Sequence, residues 1–228
     1  RQKRTDEAER LARAILAERP DASDVRLLLA HILSSRKQFK EAVAELKSIL
    51  AADPENLGCR YLMAGLYSEM GDTAAAEQEL LGILQKNPNH APSNNDLGYM
   101  WAERGTNMAK AEQMIRAALK SDPDSPAYLD SLGWVMYKQG KFADAAKALQ
   151  DATRAAPDMD ALLWDHLGDA YWRSSRPQDA AKAWQEALKI LQQRGEPRVE
   201  LGEQLPHRLE VFAVGVPAAE VHGHVGHA

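Results

Sequence analysis

Five prolines recur along this chain at a nearly constant interval: Pro20, Pro54, Pro88, Pro123 and Pro157 stand 34, 34, 35 and 34 residues apart. Each closes a stretch rich in Ala and Leu whose apolar residues recur at helical spacing. Proline lacks an N–H and clashes with the turn before it, so it stops a helix from continuing. A period of this length, ended each time by a breaker, marks a helical repeat array. It excludes a single long coiled coil, which needs unbroken heptads. In such an array each unit packs only on its neighbours, which leaves one long surface free for recognition. The functional question is then which surface is recognised, and by what.

Aligned on the prolines, each unit opens with a helix carrying a large–small pair and a further large residue one turn on. These are Leu29-Ala30 with Leu33, Met63-Ala64 with Tyr67, Leu97-Gly98 with Trp101, Leu132-Gly133 with Met136 and Leu167-Gly168 with Tyr171. The i, i+4 spacing sets both large residues on one face, and the small residue beside them lets another helix approach. Gly71, Gly105 and Gly140 follow one turn later, where a residue past a helix end takes the left-handed cap conformation. A second helix then presents Ala42, Leu46, Ile49; Ala76, Leu80, Ile83; Ala111, Ile115, Ala118; Ala145, Leu149, Ala152; and Ala180, Trp184, Ala187. The register places one inserted residue in the turn around Thr106-Asn107 and another between Pro157 and Trp164. The last unit has Arg176-Pro177 in place of the glycine turn, with Pro177 suited to opening a helix.

This pattern resembles the tetratricopeptide repeat over nearly all of residues 1–192. The resemblance implies an all-α fold, a right-handed superhelical solenoid of antiparallel helix pairs. Five full repeats are expected over 23–56, 57–90, 91–125, 126–159 and 161–192. A partial repeat over 1–20 precedes them, its Ala8, Ala12 and Ile15 fitting the second-helix register. The extension 193–228 has no repeat register. There Val199 to Phe212 reads as a capping helix, the run Val211 to Val216 is β-prone, and His222, His224 and His227 form a weak metal-site candidate.

Composition narrows the functional classes. The 228 residues carry a net charge of −5 with both signs interspersed, which lacks the basic stripe that nucleic acid requires. Cys59 is the single cysteine, so neither an internal disulfide nor a cysteine metal cluster is available; its position near the start of a first helix reads as a small, partly buried thiol. No run approaches the roughly 18–20 apolar residues that span a bilayer. The chain starts at Arg1 in mid-repeat and reads as a fragment or processed form, so bacterial cytoplasm and periplasm or envelope both stay open. No nucleotide-binding or hydrolase motif is present, and neither catalytic residues nor a cofactor are expected.

First helices line the concave side of the solenoids this pattern resembles. Mapped here, that side collects Tyr61, Asn95, Tyr99, Asp130, Trp134, Tyr137, Lys138, Asp165, Asp169, Trp172 and Arg173. The aromatics gather in the later repeats above a polar row, Asn95, Asp130 and Asp165. Rings supply contact area and polar groups meet backbone amides, a combination suited to an extended peptide. The competing reading packs the rings against the next repeat and leaves the charges as i, i+4 pairs. The tetratricopeptide subclass that grips chaperone C-termini uses Lys, Arg and Asn early in its groove. Here Leu27, His31, Tyr61 and Gly65 stand there, which speaks against that ligand. The expected function is a non-catalytic scaffold or adaptor for a protein or extended peptide. A substrate-recruiting arm of a larger glycosyltransferase or kinase, and a self-assembling homo-oligomer, are the alternatives.

Overall fold

The computed structural model describes residues 2–156 and 160–194. The fifth proline, the capping helix expected over Val199 to Phe212 and the three C-terminal histidines lie outside the described residues. Within them the chain is all-α: α1 (Gln2–Glu18), α2 (Ser23–Ser35), α3 (Phe39–Ala52), α4 (Leu57–Glu69), α5 (Thr73–Lys86), α6 (Ala91–Glu103), α7 (Met108–Ser121), α8 (Pro126–Lys138), α9 (Phe142–Ala155), α10 (Ala161–Arg173) and α11 (Pro177–Arg194). The first helices α2, α4, α6, α8 and α10 each span 13 residues, and α3, α5, α7 and α9 each span 14. The bounds of α9 and α10 leave 156–160 between them, one residue more than separates α7 from α8 at 122–125. That agrees with the insertion read before Trp164.

The chain divides into two compact units, one ending at Ser93 and the other beginning at Asn94, inside α6. In the first unit α2 packs on α3 and α4 on α5. The large–small register is its core: Leu29, Ala30, Leu33, Ala42, Leu46 and Ile49 are buried together with Ala12, Cys59 and Met63. Burial pushes the Cys59 thiol above its ordinary range, with the Asp53 carboxylate adding to the effect, so this thiol is an inert packing group. Two arginines repeat one device at the period of the sequence. Arg26 binds the carbonyl of Pro20 (2.8 Å) and Glu45 (2.6 Å), and Arg60 binds the carbonyl of Pro54 (3.2 Å) and Glu79 (3.1 Å). The periodic proline therefore ends one helix and also offers an acceptor that ties the next pair together.

In the second unit α8 packs on α9 and α10 on α11, and α7 on α8 and α9 on α10 join successive pairs. Leu97, Trp101, Ala111, Ile115, Val135, Ala145, Leu149, Leu167, Tyr171 and Trp184 form its buried register.

All five turns from a first to a second helix share one geometry. The residues Lys37, Gly71, Gly105, Gly140 and Ser175 hold φ between 60° and 79°. The next residue's N–H then donates to the carbonyl of Leu33, Tyr67, Trp101, Met136 or Tyr171, at 2.9 Å in every case. This is the bond of a helix C-cap that satisfies an orphan carbonyl. The last unit differs from expectation in how it reaches that geometry: Ser175 takes the left-handed conformation, while Pro177 opens α11 as read. The insertion after Gly105 is also located, since Asn107 is a second left-handed residue in that turn (φ 49°). Asn accepts this conformation more readily than most residues because its short polar side chain bonds locally.

Candidate functional site

The first helices of the second unit bring a set of aromatic and acidic side chains together. Tyr137 and Trp134, one turn apart on α8, stack with ring centroids 5.1 Å apart and planes within 5°. His166 of α10 stacks on the same indole at 4.0 Å and 18°. Three near-parallel rings thus bridge α8 and α10, which meet directly. Offset parallel stacking is worth about 0.5–1.5 kcal/mol per pair beyond burial. The Trp134 indole N–H donates to the Glu103 carboxylate at the end of α6, and Lys138 Nζ lies 5.1 Å from the Trp134 ring. At the rim Tyr137 meets Phe142 edge-on at 5.4 Å, and the Arg173 guanidinium covers Phe142 at 4.2 Å.

Charges organise around the stack. His166 is 4% exposed, and its Nδ1 lies 2.9 Å from Asp130 Oδ1. Burial disfavours the imidazolium. The hydrogen bond and charge of Asp130, with Asp165 and Asp169 behind it, outweigh that penalty and hold His166 above its ordinary value. Burial, then the carboxylates of Glu103, Asp130 and Asp160, push the Tyr99 hydroxyl far above its ordinary range, so it stays protonated.

A raised histidine pKa stabilises the fold most below the unfolded value of about 6.5 and loses that contribution as pH rises through the folded value. The thermal midpoint of the native chain is therefore expected to fall above about pH 6.5 more steeply than that of His166→Gln. Melting curves of both across neutral pH test this; parallel profiles would remove His166 as the titrating group.

The sequence-read residues do not all take the same place. Asp130, Trp134, Tyr137 and Lys138 join one cluster with His166 and Glu103. Asn95 and Asp165 belong to the same face by register but are only 7% and 8% exposed. Asn95 Nδ2 donates to Asp96 at 3.1 Å, and Asp165 acts on the site through its charge on His166. The aromatics are half-buried rather than openly exposed, because packing within the cluster covers much of each ring. Trp172 leans on the core indole of Trp184 at 6.0 Å, and Arg173 is engaged by Phe142. Tyr61 lies in the first unit, edge-on to His90 at 5.5 Å. Phe142 escapes the sequence reading because it opens a second helix; its signal is its place just past the Gly140 turn. Glu103 flanks the aromatic row in sequence, yet its bond across to Trp134 carries no periodic signature.

A helical-repeat scaffold for protein interaction is the class that this fold supports. The chain belongs to the tetratricopeptide repeat family: family models described as tetratricopeptide repeat match residues 1–51, 35–93 and 131–194. It is similar to a TPR repeat-containing protein of Pseudomonas aeruginosa, 36% identical over 80 residues. That match takes in 35% of this chain and 13% of the relative, so the chain spans only a small part of the relative's length.

Among solved structures, it resembles a tetratricopeptide repeat protein of Parabacteroides merdae. The TM-score is 0.75 at 17% identity, covering 96% of this chain and 84% of that one. A thermophilic TPR protein of Thermus thermophilus gives 0.66 at 16%, covering 83% and 100%. MamA of Desulfovibrio magneticus gives 0.64 at 18%, covering 76% and 97%. At these identities the likeness is one of fold. Arrays of this family are typically non-catalytic, and none of the described helices is long and apolar enough to cross a membrane.

Proposed function

We propose that this chain is a non-catalytic adaptor that holds an extended peptide or protein segment on the first-helix face of its second unit. The observation that carries the reading is the three-ring stack of Tyr137, Trp134 and His166. Tryptophan and tyrosine dominate binding energy at interfaces when they are fixed in place beforehand. Here Glu103 fixes the indole from one side, and His166, held by Asp130, supports it from another. Little side-chain freedom remains to be lost when a partner docks, which lowers the cost of association. Half-buried rings keep part of their area for a partner, while carboxylates beside them meet its N–H groups. The His166 ring is stacked and buried, which suits it to supporting the indole.

The test is affinity capture of host proteins by the native chain and by Trp134→Ala with Tyr137→Ala. Two hot-spot truncations at about 2 kcal/mol or more each predict loss of nearly all specific recovery. Helical circular dichroism of the double variant shows whether the fold persists. Unchanged recovery by a folded double variant would reject this face as the docking site.

A further inference from the structure

The helices of the second unit are segregated by charge. Its first helices α6, α8 and α10 carry five acidic residues, Asp96, Glu103, Asp130, Asp165 and Asp169, against Lys138, Arg173 and the buried His166. Its second helices α7, α9 and α11 reverse the balance, with eight basic residues against five acidic. The first unit shows no such division: α2 and α4 each carry one residue of either sign. The polarity therefore coincides with the aromatic stack.

Position within the helices sharpens the pattern. Lys138 and Arg173 each close their helix, and both are already engaged, Lys138 at the Trp134 ring and Arg173 over Phe142. Asp96, Asp130, Asp165 and Asp169 lie further back along the same helices, and Glu103 reaches the indole edge. Asp130 is paired with the buried His166, and Glu103 at the indole edge and the half-buried Asp169 carry further negative charge on this face.

From this charge complementarity we infer that the face takes a cationic segment, an extended stretch bearing arginine or lysine, with its guanidinium or ammonium groups directed at these carboxylates and its stems laid along the rings. The inference rests on the docking face proposed above and adds the chemistry of the occupant. Arginine suits it twice over, since a guanidinium pairs with carboxylates and also stacks on aromatic faces. The same negative field already acts on Tyr99 and His166, both held toward their protonated forms by these acids. Lowered dielectric beside the half-buried rings strengthens such pairs over fully exposed ones.

Three fluorescein-labelled peptides test it: one Gly/Ser background with a single Tyr and Leu, carrying arginine, glutamine or glutamate at the same positions. Binding to the whole chain is read by anisotropy at low and high salt. The arginine peptide is expected to bind at least tenfold more tightly than the glutamate peptide, and to weaken as salt screens the charges. Glu103→Gln with Asp169→Asn should reduce that preference to a few-fold. Glutamine keeps a carbonyl acceptor for the Trp134 N–H, so the variant removes charge and preserves the stack.

No binding of the arginine peptide overturns the inference, as does a preference unchanged in the charge variant. Equal binding of all three peptides, lost in Trp134→Ala with Tyr137→Ala, overturns it while leaving the docking face standing. Binding that survives that double variant rejects the face itself.

Discussion

Replacing Trp184 with alanine is expected to cost about 3–5 kcal/mol, the range for emptying a buried indole site. Globular domains hold only about 5–15 kcal/mol in total, so the expected result is a large loss of the folded population. Trp184 is 2% exposed and is among the largest fully buried side chains. It stands at a register filled by Leu46, Leu80, Ile115 and Leu149 in the earlier pairs. A methyl group added to Gly168 would come within 2.2 Å of its ring, so the indole occupies space that Gly168 leaves open between α10 and α11.

The loss should also be local. In a repeat array each pair depends on its nearest neighbours, so amide exchange in 161–194 should accelerate before that in α6–α9. Trp172 packs on this indole and His166 lies six residues before Trp172 on α10, so the same variant should weaken the docking face without touching it. Trp184→Leu, a side chain already used at this register, should fall well short of the alanine effect. Calorimetry and hydrogen exchange check both; exchange in α10 and α11 as slow as in the native chain would show that Trp184 is not the wedge between them.

The elements that repeat were legible in the sequence, and those that do not repeat were not. The large–small pairs and the second-helix triplets that begin with Ala gave the core because each is dictated by one helix face meeting one neighbour, five times over. The left-handed turns were readable wherever glycine marked them. Lys37 and Ser175 adopt the same geometry without that mark, because the bond to the carbonyl of Leu33 or Tyr171 offsets the strain. Within the site, Trp134, Tyr137, Asp130 and Lys138 stand out as large or charged residues off the core face. The burial of Asn95 and Asp165 does not. Both sit at the border between core and groove faces, where packing of the adjacent helix decides exposure and periodicity is silent. Glu103 on Trp134 and Arg26 on the Pro20 carbonyl join different helices or turns, and such pairings follow from the fold rather than from spacing.

The second large effect separates two glycines that both stand inside first helices. Gly133→Ala should destabilise by about 1–3 kcal/mol through overpacking, although alanine is the better helix former. Its new methyl would lie 2.4 Å from Leu149 Cγ, 2.9 Å from Leu149 Cδ2 and 3.2 Å from the Ala145 carbonyl. The nearest atom is a branch point rather than a flexible tip, so rotating a terminal methyl does not relieve the contact. Ala30 and Ala64 hold a methyl at this register in the first unit, which shows that the requirement belongs to the close approach of α8 to α9.

Gly65 in α4 is the counterpart: it is exposed, with nothing within 4 Å of an added methyl. Gly65→Ala should therefore stabilise by about 0.5–1 kcal/mol, the ordinary gain of alanine over glycine inside a helix. A double-mutant cycle identifies the cause of the difference. Leu149→Ala alone leaves a cavity costing about 2–5 kcal/mol, but it also removes the atoms that the Gly133 methyl would strike. The double variant should then lose clearly less than the sum of the two single losses, by more than the few tenths of a kcal/mol expected of independent sites. Additive losses in denaturant titrations would mean that Gly133 is required for some reason other than its contact with Leu149.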